Sequence, residues 1–366
     1  MNFQTNLKDL YYIFPFLDAV KNKYRLIFDV IFGSKFRLKL KVGVDLTLNR
    51  DQFVTMIDLL GAITFATSCE KVSQNTIELS FDQKNKFRIS LDDLSIENTK
   101  LLELLFNGTR FGATFIKSSG QDDFSVAGKT LKIIENQKTI VETSNGLRFY
   151  LEHMTPGIII EAFIRDIHNV GGFDDWNNKT VVDVGAECGD TAIYYASKGA
   201  KVYSFEPMKA HFDAMIKNLS LNPQISQRVT PTNAGIGEDG ELTFYHSNRA
   251  DIAEGASFVY NTHASAAKIS KVKGYSLNTV YSEFGLSHVD LLKMDCKGCE
   301  FNLVDENLKI VDNIKIEYLA YDNKHRLEDL LDVLKRNNFQ YIIFRHEPIF
   351  YRSNSFSATI YANKKK

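Results

Sequence analysis

Three acidic side chains stand near one glycine-bearing turn, and their spacing limits what that turn can hold. Residues Val181-Val182-Asp183-Val184-Gly185-Ala186-Glu187-Cys188-Gly189-Asp190-Thr191 read as a buried strand running into a turn and then a helix. Such a turn aims backbone N–H groups at a ligand. A dinucleotide-binding turn would carry glycines at 185, 187 and 190, but the second and third of these positions hold Glu187 and Asp190. Two carboxylates there repel a diphosphate. They suit a cofactor with a cationic centre and no phosphate, and S-adenosylmethionine, with its sulfonium, ammonium and single carboxylate, meets that description. Asp183, Gly185, Ala186, Glu187, Gly189, Asp190 and Thr191 are therefore cofactor candidates. Glu206 ends the next apolar run, 21 residues beyond Gly185, and is followed by Pro207. An acidic residue at that distance accepts both hydroxyls of a ribose, unless it is only a surface charge at a strand end. NAD carries the same diol, so Glu206 alone does not separate the two cofactors. Asn233 and Ala234 follow the next strand candidate and either lie near an adenine or sit in a plain loop.

The elements that must position these residues alternate from Thr180 onward. Val181–Val184, Lys201–Phe205, Val289–Met294, Ile314–Leu319 and Gln340–Phe344 are short apolar runs separated mostly by helix-length segments. This pattern predicts a parallel sheet covered on both faces. A helix is expected over Met208–Leu221, with Phe212, Met215, Ile216 and Leu219 on one side and Asn222-Pro223 as its stop. Arg228–Asn233 contains Pro231, which cannot donate a ladder bond and so belongs at a sheet edge. Glu238-Asp239-Gly240 reads as a hairpin turn before Glu241–Tyr245. Ser357–Ala362 follows Phe344 too closely for a helical crossover and should run antiparallel to its predecessor.

Upstream the pattern is mixed. A helix is expected over Asp18–Phe32, ended by Gly33, and a single alternating strand from Phe36 to Leu48. Strands are expected at Thr76–Phe81 and Phe87–Leu91, a helix at Asn98–Phe106 stopping at Asn107-Gly108, and a hairpin or strand over Thr130–Glu142. No phosphate loop, metal spacing or catalytic motif occurs there. We expect an accessory mixed α/β domain over 1–145 and a cofactor-binding domain over 146–366.

The 366-residue chain has 44 Lys and Arg against 45 Asp and Glu, so no global field recruits nucleic acid or a membrane surface. With 44% hydrophobic residues the composition is that of a folded protein. The longest apolar runs fall short of the ~20 residues that span a bilayer. Four cysteines, Cys69, Cys188, Cys296 and Cys299, are too few for a disulfide framework, which points to a reducing, cytoplasmic setting.

Four blocks, taken in order and spacing, resemble the FkbM-type S-adenosylmethionine-dependent methyltransferases: Asp183-Val184-Gly185-Ala186, Tyr203-Ser204-Phe205-Glu206-Pro207, Asn233-Ala234-Gly235-Ile236-Gly237, and Leu291-Leu292-Lys293-Met294-Asp295-Cys296-Lys297-Gly298-Cys299-Glu300. The similarity covers roughly residues 170 to 350. It implies a Rossmann-like class I methyltransferase sheet, mostly parallel with its last strand antiparallel, and methylation of hydroxyl oxygens on sugars or natural products. In the fourth block the family usually has an acidic residue where Lys297 stands and a small one where Cys299 stands, so no role passes to Lys297.

Methyl transfer to a hydroxyl needs in-line positioning and a base. The candidates are Asp295 and Glu300, beyond the C-terminal end of a central strand, and Glu317, a carboxylate embedded in an apolar run. Each also has a structural reading: Asp295 orienting the cofactor, Glu300 capping a helix, Glu317 facing solvent on an edge strand. Cys296 and Cys299 lack a second pair to complete a four-ligand metal site and read as buried thiols. His211, His246, His263, His288, His325 and His346 show no helical metal pair. His263 lies in a small-residue segment, 253–271, that could close over an acceptor. The expected partner is a small-molecule or glycan acceptor rather than nucleic acid, with homo-oligomerisation open. A non-catalytic cofactor-binding scaffold of the same fold, or less favourably an NAD-dependent dehydrogenase, is the alternative.

Overall fold

Hydrophobic alternation sorts the C-terminal half into a sheet whose two faces differ in chemistry. In this computed structural model the described residues are 9–82, 85–92, 95–118, 128–135, 138–169, 175–246, 268–319, 325–345 and 357–365. They divide into two compact units, one ending at Asp166 and the next beginning at Ile167.

The first unit contains β1 (Lys35–Lys39), β2 (Asp45–Asn49), β3 (Ser68–Ser73), β4 (Thr76–Ser80), β5 (Lys86–Ser90), β6 (Thr114–Ser118), β7 (Thr130–Ile134), β8 (Ile140–Thr143) and β9 (Arg148–Tyr150), with helices α1 (Lys23–Phe32), α2 (Phe53–Phe65) and α3 (Ile96–Arg110). The expected helix over Asp18–Phe32 starts later, at Lys23, after a 3-10 turn at Phe14–Ala19. The run Phe36–Leu48 is a hairpin, not one strand: Gly43 takes a positive φ of 85° and β1 pairs antiparallel with β2. Helix α3 does not stop at Asn107-Gly108. The bare Gly108 lets the Phe115 ring approach, where a Cβ would meet Phe115 Cζ at 2.5 Å, so the residue serves packing rather than termination. Helix α2 carries no sequence expectation, because it is apolar almost all round and shows little periodicity. The expected boundary at 145/146 falls between β8 and β9, which are paired as a hairpin.

The second unit is built on β10 (Thr180–Val184), β11 (Lys201–Phe205), β12 (Val229–Thr232), β13 (Gly235–Ile236), β14 (Gly240–His246), β15 (Lys268–Tyr275), β16 (Val289–Met294), β17 (Val311–Leu319), β18 (Phe339–Arg345) and β19 (Ser357–Lys364), with α4 (Asp190–Ser197), α5 (Lys209–Ser220), α6 (Leu277–Glu283) and α7 (Leu327–Arg336). Seven strands form one sheet in the order β12-β11-β10-β16-β17-β19-β18. All neighbours from β12 to β17 are parallel, and β19 runs antiparallel to both β17 and β18. In sheet numbering this is 3-2-1-4-5-7-6 with the seventh strand reversed, the Rossmann-like class I methyltransferase sheet. Pro231 lies in β12 at the sheet edge, as its missing N–H requires.

One face of the sheet is apolar: Val182, Val184, Phe205, Met294, Ile316 and Ile360 pack with Leu277 and Val280 of α6 and with Leu330 and Leu334 of α7. The other face carries a polar row set by register, in which Ser204 pairs with Asp183, Asp183 with Lys293, Lys293 with Lys315 and Lys315 with Tyr361. Two residues further along each strand the same face reaches the C-terminal edge. Two local expectations are corrected. The turn at Glu238–Gly240 does not join paired strands, because β15 inserts between β13 and β14. Ile216 is 41% exposed, while Met215 and Leu219 of the same helix are buried.

Candidate functional site

The turn after β10 differs from its sequence reading in where its amides point. Gly185 and Ala186 both donate their N–H to Phe205 O, at 2.9 and 3.1 Å, and Gly189 donates to Ala186 O at 2.7 Å. The Glu187 N–H donates to Glu206 Oε2 at 2.9 Å. These amides are used inside the protein, so the turn is no phosphate cradle. Its shape comes from close approach of two strand ends: Gly185 has φ 79°, and a Cβ there would sit 2.0 Å from Asp295 O. Glu187 also takes a positive φ, 43°, which directs the chain around the Glu206 carboxylate.

Glu206 is held from both sides, with Oε1 accepting from Met208 N–H at 2.8 Å while Oε2 takes the Glu187 amide. His211 on α5 brings Nδ1 within 3.7 Å of Oε1. Burial works to neutralise that imidazole, but the carboxylates of Glu206 and Glu187 outweigh it and hold its pKa above the ordinary value. Asn233 donates through its amide nitrogen to Glu206 O at 2.8 Å and Pro207 O at 3.2 Å. Its side chain thus fixes the loop after β11, with the fully buried Ala234 behind it.

Asp295 and Glu317 meet at the far side of the same edge. Met294 pairs with Ile316, so the next residues face each other, and the Asp295 and Glu317 carboxyls share a hydrogen bond. A hydrogen bond between two carboxyl groups requires one proton between them. Burial works to raise the Asp295 carboxyl, but the Lys293 ammonium, the Glu317 bond and the charges of Lys297 and Lys315 together hold it below its ordinary value. Glu317 lies on a central strand, between β16 and β19, not at an edge. Glu300 is not part of this pair. It is 0% exposed, its Oε2 accepts from Gly298 N–H at 2.8 Å, and burial raises its carboxyl to about 7.

Beneath the edge lies a buried charge system that supports rather than lines the site. Asp183, 0% exposed, has Oδ1 3.0 Å from Lys293 Nζ, although neither oxygen has a well-aligned hydrogen bond. Lys293 Nζ donates instead to Gly185 O at 2.9 Å, which ties the polar row to the turn. Burial works against the Lys293 charge, and Asp183, Asp295 and Asp190 more than compensate, raising its pKa well above the ordinary value. Asp190, at the first position of α4, is pushed up to about 7 by burial and by Glu187; Thr191 Oγ1 donates to it at 3.2 Å.

The sequence candidates therefore split. Gly185, Glu187, Pro207, Asn233, Asp295 and Glu317 are half-buried at the edge, whereas Asp183, Ala186, Gly189, Asp190, Thr191, Ala234 and Glu300 are buried; Glu206, also buried, is gripped by the turn. Sequence reasoning missed Lys293, His211, and the hydrogen bond of 2.7 Å between Lys315 Nζ and the neutral His168 Nδ1. A lysine in the middle of an apolar strand, as in Leu291-Leu292-Lys293-Met294, was the available signal. The expected free thiols are corrected: Cys296 and Cys299 are joined by a disulfide. His263 and most of the segment 253–271 lie outside the described residues.

An open α/β sheet of this strand order has the architecture of the class I methyltransferase fold, and its acidic groups lie beyond the carboxyl ends of the central strands, where ligands bind in such sheets. Residues 183–341, somewhat under half of the chain, match the sequence profile of the Methyltransferase FkbM domain. Methyltransferase sdnD of Sordaria araneosa is 26% identical over 174 residues, covering 38% of this chain and 66% of that protein. This chain thus spans just under two thirds of that relative. Among solved structures, the methyltransferase FkbM of Methylobacillus flagellatus KT is 15% identical with a TM-score of 0.35, covering 57% of this chain and 53% of that one. M. jannaschii TYW2 in complex with AdoMet is also 15% identical, with a TM-score of 0.35 over 64% of this chain and 92% of its own. The strand order, not the superposition, carries the fold assignment. No helix among the described residues is long and apolar enough to cross a membrane.

Proposed function

We propose that this protein uses S-adenosylmethionine to methylate a hydroxyl oxygen of a sugar, glycan or small natural product. The observation that carries the proposal is the register of β16 and β17, which sets the carboxyls of Asp295 and Glu317 side by side at the same sheet edge as the acidic turn. An amine acceptor carries a free lone pair once neutral, whereas a hydroxyl must lose its proton as it is alkylated, and a carboxylate beside the acceptor supplies that need. When bound, the cofactor supplies an electrophilic methyl group on a sulfonium sulfur.

The residues fit such a group. With the amides of Gly185, Ala186, Glu187 and Gly189 turned inward, the turn withholds these four donors from a diphosphate, and the acidic side chains around it favour a cation. Glu206 would hold the ribose hydroxyls, its carboxylate already fixed by two backbone N–H groups. Pro207 and Asn233 shape the wall beside it. Asp295 takes the acceptor proton at its carboxylate, which leaves both Asp295 and Glu317 protonated until one proton passes to solvent. Lys293 keeps Asp295 ionised beforehand. The acceptor is small or glycan-like rather than nucleic acid, since the net charge of -1 offers no polyanion field. A cytoplasmic setting, with its supply of the donor, belongs to the same proposal.

Calorimetry with S-adenosylmethionine tests this reading. Glu206→Ala should weaken binding by about 1.5 to 3 kcal/mol through loss of charged hydrogen bonds. Equal binding by both proteins removes the ribose assignment, and tight binding of NADH in place of the donor returns the dehydrogenase alternative. Donor binding without transfer to any hydroxyl acceptor would mark a scaffold.

A further inference from the structure

The chemistry proposed above uses neither Cys296, Cys299 nor Glu300, yet these three sit together in the loop that starts at Asp295. The disulfide joins Cys296 to Cys299. Cys299 is 0% and Cys296 8% exposed, so Cys296 is the sulfur that a reagent meets first. Glu300 lies against the bridge, with Oε2 3.4 Å from Cys296 Sγ, and one ligand atom from each of the three residues lies within 4.8 Å of the others. Its Oε1 is buried with no hydrogen-bond partner. A disulfide sulfur has no hydrogen to donate, whereas a thiol does. The buried carboxyl therefore faces a sulfur that can bond to it only after reduction. The charged groups that bear on Glu300 are Asp295, which reinforces burial in raising its pKa to about 7, and Lys297, which opposes it. A carboxyl poised there can both give and take a proton near neutral pH.

We propose that Cys296 and Cys299 are a reversible dithiol–disulfide centre with Glu300 as its proton carrier, and that the state of this centre sets the loop holding Asp295. A thiolate of a dithiol reductant attacks Cys296 Sγ. The bond between the two cysteines breaks as the mixed disulfide forms, and the electron pair leaves on Cys299 Sγ, which takes the Glu300 proton. The second thiol of the reductant then attacks its own sulfur in the mixed disulfide and releases Cys296, which is protonated in turn. The reductant ends as a disulfide, the protein gains two thiols, and Glu300 recovers its proton from solvent. The loop that changes is the one whose Asp295 carbonyl abuts Gly185, so the redox state reaches both the turn and the Asp295–Glu317 pair.

The test uses the full chain and dithiothreitol, with samples quenched, denatured and alkylated, and the peptide spanning Cys296 and Cys299 mapped by mass spectrometry. The expected result is no label in air, two labels after dithiothreitol, and none again after glutathione disulfide. Full labelling of the air-exposed protein overturns the centre. The reduction rate of the wild type should rise with reagent thiolate up to about pH 7 and then level off, because above that pH the carrier loses its proton as fast as the reagent gains thiolate. Glu300→Gln should be slower by about tenfold or more near pH 7 and follow the thiolate fraction alone. An unchanged rate and profile overturns the role of Glu300; if that variant fails to fold, a wild-type rate that goes on rising with the thiolate fraction above pH 7 does the same. The loop half rests on the proposed function. Calorimetry should show donor affinity differing by about fivefold or more between oxidised and reduced protein, with Cys299→Ser matching the reduced form. Equal affinity overturns that half alone. Donor binding by neither form removes the methyl-donor reading and the loop half with it, while the labelling result still decides the centre.

Discussion

Replacing Lys293 with Met should destabilise the second unit in a pH-dependent way that identifies the buried charge it leaves behind. Asp183 is 0% and Lys293 4% exposed, and their charged atoms lie 3.0 Å apart. Removing one partner of a buried pair costs about 3–5 kcal/mol, because the other charge stays desolvated. Met keeps the length and apolar stem, so packing changes little. Asp183→Asn in the same background removes the stranded charge, and the double-mutant cycle should return about 2 kcal/mol or more of coupling. The protein contains one tryptophan, Trp176, which is 0% exposed and packs at a tilt against Tyr195 in the second unit, with ring centroids 4.7 Å apart. Its fluorescence in urea therefore follows this unit without interference from the first. The Asp183 carboxyl is already raised by burial despite Lys293, and losing the ammonium raises it further. A carboxyl with a raised folded-state pKa binds more protons folded than unfolded. The variant should thus be nearest to wild type below about pH 4 and lose ground as pH rises through the folded-state value. A cost under about 1 kcal/mol at pH 7, or one that does not shrink on acidification, would refute the reasoning.

Three further outcomes are expected. Gly185→Ala places a Cβ 2.0 Å from Asp295 O at φ 79° and should cost about 3 kcal/mol or more in the same urea assay; a neutral effect would mean that the two strand ends separate easily. Asp190, raised to about 7 by burial and by Glu187, contributes stability that is present below about pH 4 and lost as pH rises to about 7. Asp190→Asn should remove up to about 4 kcal/mol of that decline, and identical pH slopes would show that Asp190 does not titrate there. Asp295→Asn should lower the methyl-transfer rate about 100- to 10,000-fold, whereas Glu317→Gln, whose amide still donates to Asp295, should lower it less and leave donor affinity unchanged; loss of donor affinity in Glu317→Gln would reassign it to cofactor binding.

Much of this molecule follows from short-range pattern. Apolar runs of strand length separated by helix-length segments dictate a parallel sheet, Pro231 dictates an edge, and the short link before Ser357 dictates one reversed strand. The positions of Glu187, Asp190 and Glu206 along the chain likewise give an acidic turn that suits a cation. These features depend on periodicity, on missing donors and on charge, all of which are local. Folding alone decided the rest. Register across three strands aligned Asp183, Lys293 and Lys315, and carried Asp295 to Glu317, although no spacing in the sequence relates them. The direction of the turn's amides depended on Phe205 and Glu206 closing over it from a neighbouring strand. Gly185 suggested a ligand contact from sequence, but its lack of a side chain makes room for the Asp295 backbone. Whether a carboxyl serves as support, proton carrier or surface charge depends on what surrounds it in space, and that is set by residues tens to over a hundred positions away.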